Sequence, residues 1–263
     1  MGKISLKKVE PFIGLPGGIV KIFGKGFQPW QIQNENINFC ESSPWIEGVS
    51  DGIVITSIPY KIYSGDVYIE INGNKSNKLS FVIPEIVATG VHLVDSPVID
   101  EKGNIYATYS GSRGENTPVS IYKITPYGEK IVYLQGLTNA TSLAIDKKGI
   151  LFIASRFNGK IYKSKEEQEY ELYSQGLGVA FGLALDSGNN LYAGDRGGSI
   201  FKISEDGRAE YFVSIPQSYI SFHLGFDSKD HLYISNPIHM GENFIYKIDQ
   251  SGLITTLPTG CFK

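Results

Sequence analysis

The chain has 263 residues, of which 41% are hydrophobic and 12% aromatic, and its formal net charge is −3. This length allows one large domain or two ordinary ones, each with a sizeable core. The small negative charge predicts no general attraction to nucleic acid or to an anionic membrane. Cys40 and Cys261 lie far apart without metal-ligand or redox spacing, so no disulfide framework is expected.

Targeting signals are weak in this sequence. The first residues, MGKISLKKVEPFIGL, contain lysines but no apolar core of a signal peptide. No segment approaches the ~20 apolar residues that a membrane span needs. A cytoplasmic protein is therefore the default prediction, while a cell-surface or periplasmic location stays open.

Residues 1–84 are predicted to form a small β-sandwich. Short apolar and alternating segments favour strands at 4–9, 18–23, 36–39, 53–58, 66–71 and 79–83. Turn signals separate these segments, including Asn72-Gly73, the dipeptide favoured in a type I′ hairpin. A series of short strands with regular turn signals is typical of an immunoglobulin-like sandwich.

The same segment resembles the IPT/TIG family of immunoglobulin-like domains. The resemblance rests on GLPGG at 14–18, IFGKGF at 22–27, SGDV at 64–67 and NG at 72–73. Some members of that family bind DNA, and others occur in cell-surface receptors or beside carbohydrate-active enzymes. Up to residue 84 the chain has eight Lys, no Arg and seven acidic residues, which argues against a phosphate-binding patch. Trp30 and Trp45 are open to two interpretations, stacking on a sugar or packing within the domain.

The rest of the chain repeats one pattern four times. An Asp ends an apolar run, and an aliphatic and an aromatic residue follow five and six positions later. An aliphatic–aromatic–Lys triplet then closes each copy. The four Asp residues, spaced by 46, 40 and 41 positions, are Asp100, Asp146, Asp186 and Asp227. This spacing is the period of a four-stranded propeller blade.

Each copy is predicted to be an antiparallel meander. In the third copy, apolar or alternating segments favour four strands, and the residues between them favour turns. The four predicted strands are 182–185, 191–193, 200–203 and 210–213. One such unit needs neighbours to bury both of its faces.

Residues 85–263 resemble the six-bladed propellers of the NHL and gluconolactonase (regucalcin)-like families. The motifs that carry the resemblance are SPVID at 96–100, SLAID at 142–146, GLALD at 182–186 with GDR at 194–196, and FHLGFD at 222–227. The predicted organisation is thus an IPT/TIG sandwich at 1–84 followed by propeller blades at 85–263. Four blades fall short of six, which predicts a truncated product or fragment, with a four-bladed ring as the alternative.

The loops between second and third strands are predicted to share one face with the segment that precedes the first strand. That placement brings four residues to one rim of the propeller: Arg113, Arg156, Asp195 and Arg196. His223 is predicted to line the mouth of the central channel on the same side, with Asn139 and Thr141 nearby. Guanidinium groups on such a rim favour a carboxylate- or phosphate-bearing ligand. The alternative is that the arginines pair with carboxylates such as Asp195 inside each blade.

The gluconolactonase resemblance implies a competing function, hydrolysis of a sugar lactone at a Ca²⁺ or Zn²⁺ site. Asp95 matches the position of that family's acidic ligand. Where the family has Asn or Asp before its inner-strand motif, this chain has Thr141, Phe181 and Phe222. Phenylalanine cannot coordinate a metal, and no GxSxG, HExxH or P-loop motif is present. The sequence therefore favours a non-catalytic binding protein that needs no cofactor and whose partner is a small molecule or a protein.

Overall fold

The computed structural model describes residues 3–91, 96–217, 223–236 and 244–258. The chain divides into two units, Met1–Ile86 and Val87–Lys263. In the described residues both units are built from β-strands, with two short 3-10 helices at Pro29–Gln31 and Asn34–Asn36. None of the helices in these ranges is long and apolar enough to cross a membrane.

The N-terminal unit has two antiparallel sheets. Its strands in chain order are β1 (Ser5–Glu10), β2 (Ile19–Lys25), β3 (Ile37–Phe39), β4 (Ile46–Ser50), β5 (Ile53–Ser57), β6 (Gly65–Ile71), β7 (Asn74–Lys75) and β8 (Leu79–Phe81). One sheet has the order β1-β2-β5-β4, and the other has the order β3-β6-β7, with β8 also pairing with β6.

One apolar core joins these two sheets. Ile22 and Val54 from the first sheet and Phe39 and Ile69 from the second belong to the same cluster of buried side chains. The rings of Phe39 and Phe81 meet edge to face, with centroids 4.8 Å apart. The unit is therefore a β-sandwich, since alternate residues of both sheets fill one interior.

The second unit contains four four-stranded antiparallel sheets in the described residues. We call them blades 1 to 4. Blade 1 has β9 (Val98–Ile99), β10 (Ile105–Thr108), β11 (Ile121–Ile124) and β12 (Lys130–Leu134), and blade 2 has β13 (Ala140–Ile145), β14 (Leu151–Ser155), β15 (Lys160–Ser164) and β16 (Glu171–Ser174). Blade 3 has β17 (Ala180–Leu185), β18 (Leu191–Asp195), β19 (Ser199–Ile203) and β20 (Ala209–Ser214), and blade 4 has β21 (His223–Phe226), β22 (Leu232–Asn236), β23 (Phe244–Ile248) and β24 (Ile254–Pro258). The prediction of antiparallel four-stranded repeats is confirmed.

Adjacent blades bury apolar side chains against each other. Ile121 and Ile153 share a cluster between blades 1 and 2. Ala154 and Ala193 share one between blades 2 and 3, and Ile200 and Ile234 share one between blades 3 and 4. Each blade thus covers the face of its neighbour, as the repeat pattern requires.

A β-bulge recurs in the first three blades. The pairing of third and fourth strands shifts register between the first two residues of the aliphatic–aromatic–Lys triplet, at Ile121/Tyr122, Ile161/Tyr162 and Ile200/Phe201. A bulge increases the local right-handed twist of a strand. In these three blades the triplet therefore also marks where the outer part of the blade twists.

Candidate functional site

The loops predicted to share a face do so in the structure. The Gly159 carbonyl, in the β14–β15 loop, accepts the Leu177 N–H from before β17 at 3.4 Å. The Gly198 carbonyl, in the β18–β19 loop, accepts the Ile215 N–H at 2.9 Å. We call this side of the blades the loop face. The turns that begin with the repeated Asp residues lie at the opposite ends of the strands, on what we call the turn face.

Asn139 holds the long β10–β11 loop of blade 1. Its side chain is fully buried, and its Oδ1 accepts the Gly114 N–H at 2.6 Å. Its Nδ2 donates to the carbonyls of Ser110 at 2.5 Å and Ser112 at 2.8 Å. Its φ of 50° is tolerated by asparagine better than by most residues. Asn139 thus lies on the predicted face, but its polar atoms are used to order a loop.

Arg156 connects blade 2 to the same loop. Its Nη2 donates to the Gly111 carbonyl at 2.9 Å, and its backbone N–H donates to the Asn139 carbonyl at 3.2 Å. The Nε atom is buried and has no hydrogen-bond partner among the described residues. The structure therefore brings Arg156 to the loop that carries Arg113.

Arg113 and Arg196 are exposed to solvent. Among the described residues, neither they nor Arg156 forms an ion pair. Asp195 does not neutralise its neighbour: its Oδ1 accepts the N–H of Gly197 and so closes its own loop. Arg196 lies at a different junction from Arg156, because its backbone N–H donates to the Val179 carbonyl at 3.0 Å.

His223 is exposed at the start of β21, and its Nδ1 lies 3.0 Å from Ser96 Oγ. Ser96 and His223 occupy equivalent positions in the first and fourth copies of the repeat, four residues before the turn Asp. Their contact joins blade 1 to blade 4 through the innermost segments. Sequence reasoning selected His223 but not Ser96, although the equivalence of the two positions was visible in the repeat.

The proposed metal ligands are not assembled in the described residues. Asp95 lies outside the part of the chain that the structure describes. Within that part, no three His, Cys, Asp or Glu side chains come together to hold a metal ion. Thr141 is buried in β13, where its Oγ1 donates to the Ala154 carbonyl at 3.3 Å, and Phe181 is buried in β17.

Comparisons with known proteins identify the fold. No family model matches the chain, and no curated protein matches it. An auxiliary nutrient binding protein from Bacteroides thetaiotaomicron is similar over 97% of this chain and 69% of its own, with 15% identity and a TM-score of 0.51. A gluconolactonase from Xanthomonas campestris covers 74% of this chain and 69% of its own, with 13% identity and a TM-score of 0.53. Virginiamycin B lyase from Staphylococcus aureus covers 87% and 72%, with 18% identity and a TM-score of 0.51. At these identities the likeness shows a β-propeller type of fold and no shared activity.

Proposed function

We propose that the protein is a non-catalytic binding protein whose loop face takes an anionic small molecule or an acidic segment of a partner protein. The observation that carries the proposal is that Arg113, Arg156 and Arg196 lie on loops of one face without an ion pair among the described residues. An exposed guanidinium group without a carboxylate partner, as in Arg113 and Arg196, keeps its donors available for carboxylate or phosphate oxygens. Arg156 contributes its positive charge, since its Nη2 already donates to the Gly111 carbonyl.

Arg208 gives an internal comparison. It is the fourth and last arginine of the chain, and it lies between β19 and β20, on the turn face. Its Nη2 pairs with Glu210 Oε1 at 2.8 Å. The arginine on the turn face is thus paired, whereas the three on the loop face are not. This distribution favours a role in recognition for the loop-face set.

In the same proposal, the N-terminal sandwich is an IPT/TIG-like domain and the blades belong to an NHL or gluconolactonase-like propeller. The domain boundary at residue 84, the six-blade count, the truncation and the cytoplasmic location stay predictions. No nucleic acid or membrane partner and no cofactor are proposed.

The proposal is tested by thermal melting with inorganic phosphate, citrate and gluconate as probes. A probe at about a hundred times its dissociation constant adds ~2.7 kcal/mol to the free energy of unfolding. We expect the shift to disappear in the double variant Arg113→Ala with Arg196→Ala and to persist in Arg208→Ala, the matched control. A shift that survives the double variant contradicts the proposal, and so does the absence of any shift with the wild-type protein.

A metal-dependent lactonase is the second candidate. It is favoured by the position of Asp95 in the sequence and by the fold that the chain shares with a gluconolactonase. Carboxylate and amide oxygens are the ligands that a hard cation prefers. Turnover of glucono-δ-lactone in the presence of Ca²⁺ or Zn²⁺, lost in Asp95→Ala, would establish this function in place of binding alone.

A further inference from the structure

The four Asp turns of the turn face differ in how they use one carboxylate oxygen. In blade 1, Asp100 Oδ2 accepts the Asn104 amide at 2.8 Å and the Tyr106 hydroxyl at 3.3 Å. In blade 3, Asp186 Oδ2 accepts the Asn190 amide at 2.8 Å. In blade 4, Asp227 Oδ2 lies 2.9 Å from His231 Nδ1 and accepts the Tyr233 hydroxyl at 3.2 Å. In these three turns, side chains of the same turn or of the strand that follows it form hydrogen bonds with the Oδ2 atom of the Asp.

Blade 2 departs from this arrangement. Ile150 and Phe152 stand where blade 1 has its amide and its hydroxyl, and neither side chain can donate a hydrogen bond. Asp146 Oδ1 still accepts the backbone N–H groups of Lys148 and Ile150, each at 2.8 Å. For Asp146 Oδ2, the one bond within the described residues comes from Asn189 Nδ2 of the next blade, at the long distance of 3.4 Å. The Oδ2 atom of Asp146 can therefore accept a hydrogen bond from a ligand.

This oxygen borders a cleft of about 1020 Å³ between blades 2 and 3. Apolar parts of Ile150, Phe152 and Tyr173 line the cleft. The Phe152 and Tyr173 rings pack with centroids 5.0 Å apart, and the Tyr173 hydroxyl is held by the Ser204 carbonyl at 2.9 Å. The cleft therefore combines a fixed aromatic and aliphatic wall with polar groups at its edge.

Some of the charges around the cleft are engaged within the protein. Lys163 Nζ lies 3.0 Å from Glu171 Oε1, outside the cleft lining, and 5.3 Å from the centre of the Tyr173 ring. Glu210 is paired with Arg208, and Asp206 Oδ1 accepts the Ser204 hydroxyl at 2.5 Å. The lining as a whole carries three lysines and four acidic side chains, so its charges nearly cancel and the cleft suits a ligand without net charge.

We propose that this cleft binds a neutral saccharide. The C–H groups of a sugar ring are apolar and fit the half-buried side chains of Ile150 and Tyr173, which the buried Phe152 ring supports from behind. A sugar hydroxyl donates to Asp146 Oδ2, and a hydrogen bond to an ionised carboxylate is stronger than one between neutral groups. Another hydroxyl oxygen accepts from Asn189 or Lys148. The volume lies at the upper end of the range of ligand pockets and accommodates one or two sugar rings. The site is on the turn face, so it does not depend on the function proposed for the loop face.

The test uses glucose, galactose, mannose, maltose and cellobiose as probes, with saturation-transfer NMR for detection and calorimetry for affinity. Asp146→Asn keeps the Oδ1 acceptor of the turn and replaces Oδ2 by a donor, so we expect at least about a tenfold loss of affinity for the saccharide that binds. Asp100→Asn makes the same change in the equivalent turn of blade 1, away from the cleft, and as the matched control it should leave this affinity unchanged.

A second variant distinguishes a binding role from a structural one. The double variant Ile150→Asn with Phe152→Tyr gives blade 2 the amide and the hydroxyl that bind the turn Asp in blade 1. These two groups should then donate hydrogen bonds to Asp146 Oδ2 in place of a ligand. We expect this double variant to melt at or above the wild-type temperature and to lose saccharide binding. If none of the five sugars binds the wild-type protein, or if binding survives both Asp146→Asn and the double variant, the proposal is overturned.

Discussion

The two faces of the blades are held by bonds of very different range along the chain. On the turn face, the carboxylate of Asp100 and the Oδ1 atom of Asp146 bind groups no more than six residues ahead in their own turns, while Asp146 Oδ2 also accepts from Asn189 of the next blade. On the loop face, Asn139 binds groups 25 to 29 residues away, and Arg156 reaches a carbonyl 45 residues away. The turns are therefore specified largely within each repeat, whereas the contacts of Asn139 and Arg156 on the loop face form only after distant segments have packed. Function that varies between repeats is easier to place on the second kind of surface.

The largest effect that this comparison predicts is at Asn139. Replacement by Ala leaves one N–H and two carbonyls of the β10–β11 loop without their side-chain partner, and it places Ala at a φ of 50°. A buried polar group without a partner costs about 1–3 kcal/mol. We expect Asn139→Ala to lower the free energy of unfolding by about 3 kcal/mol in chemical denaturation. A loss below that of a turn Asp variant would show that the loop face is not held in this way.

A smaller effect is expected on the turn face. Asp100→Ala removes a cap that accepts two backbone N–H groups, the Asn104 amide and the Tyr106 hydroxyl. By analogy with the loss of a helix cap, the cost is about 1–2 kcal/mol. Asp146→Ala, which removes the two backbone bonds and one long side-chain bond, should cost less. Equal losses for the two variants would contradict the difference between the turns.

Acid should weaken the turn face. Burial raises the pKa of Asp100, but hydrogen bonds from Asn104 and from the backbone of Lys102 outweigh it, so the pKa lies below its ordinary value. The His231 backbone N–H, followed by its side chain, likewise lowers the pKa of Asp227 against the effect of burial.

A folded-state pKa below the unfolded one gives stability that is present above the unfolded value, about pH 3.9, and is lost as the pH falls towards the folded value. We therefore expect the free energy of unfolding to fall steadily below about pH 4. In Asp100→Asn, which cannot titrate at this position, the same decrease should be shallower. The free energy of unfolding is measured by urea titration at several pH values for both proteins. If it falls equally steeply with pH in the two proteins, this turn makes no contribution.

The smallest effect is predicted for Arg196→Ala. Its guanidinium is exposed and has no ion pair among the described residues, so its removal should change the free energy of unfolding by less than about 0.5 kcal/mol. Differential scanning calorimetry checks this value. A larger loss would mean that Arg196 is part of the scaffold, and the proposed anion site would then lose one of its members.

The range of each interaction also explains what could be predicted from the sequence. The strands of blade 3 were placed to within two residues, because local apolar periodicity and the Asp turn determine them. In the sandwich, β4 (Ile46–Ser50) and β7 (Asn74–Lys75) were not predicted. The first contains a glycine and a charged residue, and pairing with β5 across Gly52, whose φ is 71°, makes it a strand. Tertiary pairing here overrides local propensity.

For the candidate site, the shared face of the loops was predictable from strand order, but the partners were not. Asn139 was expected on the shared face and lies there, but its side chain orders a loop, and Asp195 caps Gly197 instead of pairing with an arginine. The contact of His223 with Ser96 joins residues 127 positions apart. Such distances along the chain are beyond any local pattern.

That contact bears on how the blades open. In the clusters of described residues, blades 2 and 3 share buried apolar side chains with a neighbour on either side, whereas blades 1 and 4 do so on one side. A linear array of this kind unfolds from its ends, and amide hydrogens there exchange with solvent first. Within the part of the chain that the structure describes, the hydrogen bond between Ser96 and His223 contributes about 1 kcal/mol, so it adds less to the stability of blades 1 and 4 than a second buried interface would. Amides of β14 and β18 should therefore exchange last, and amides of the two outer blades should exchange first.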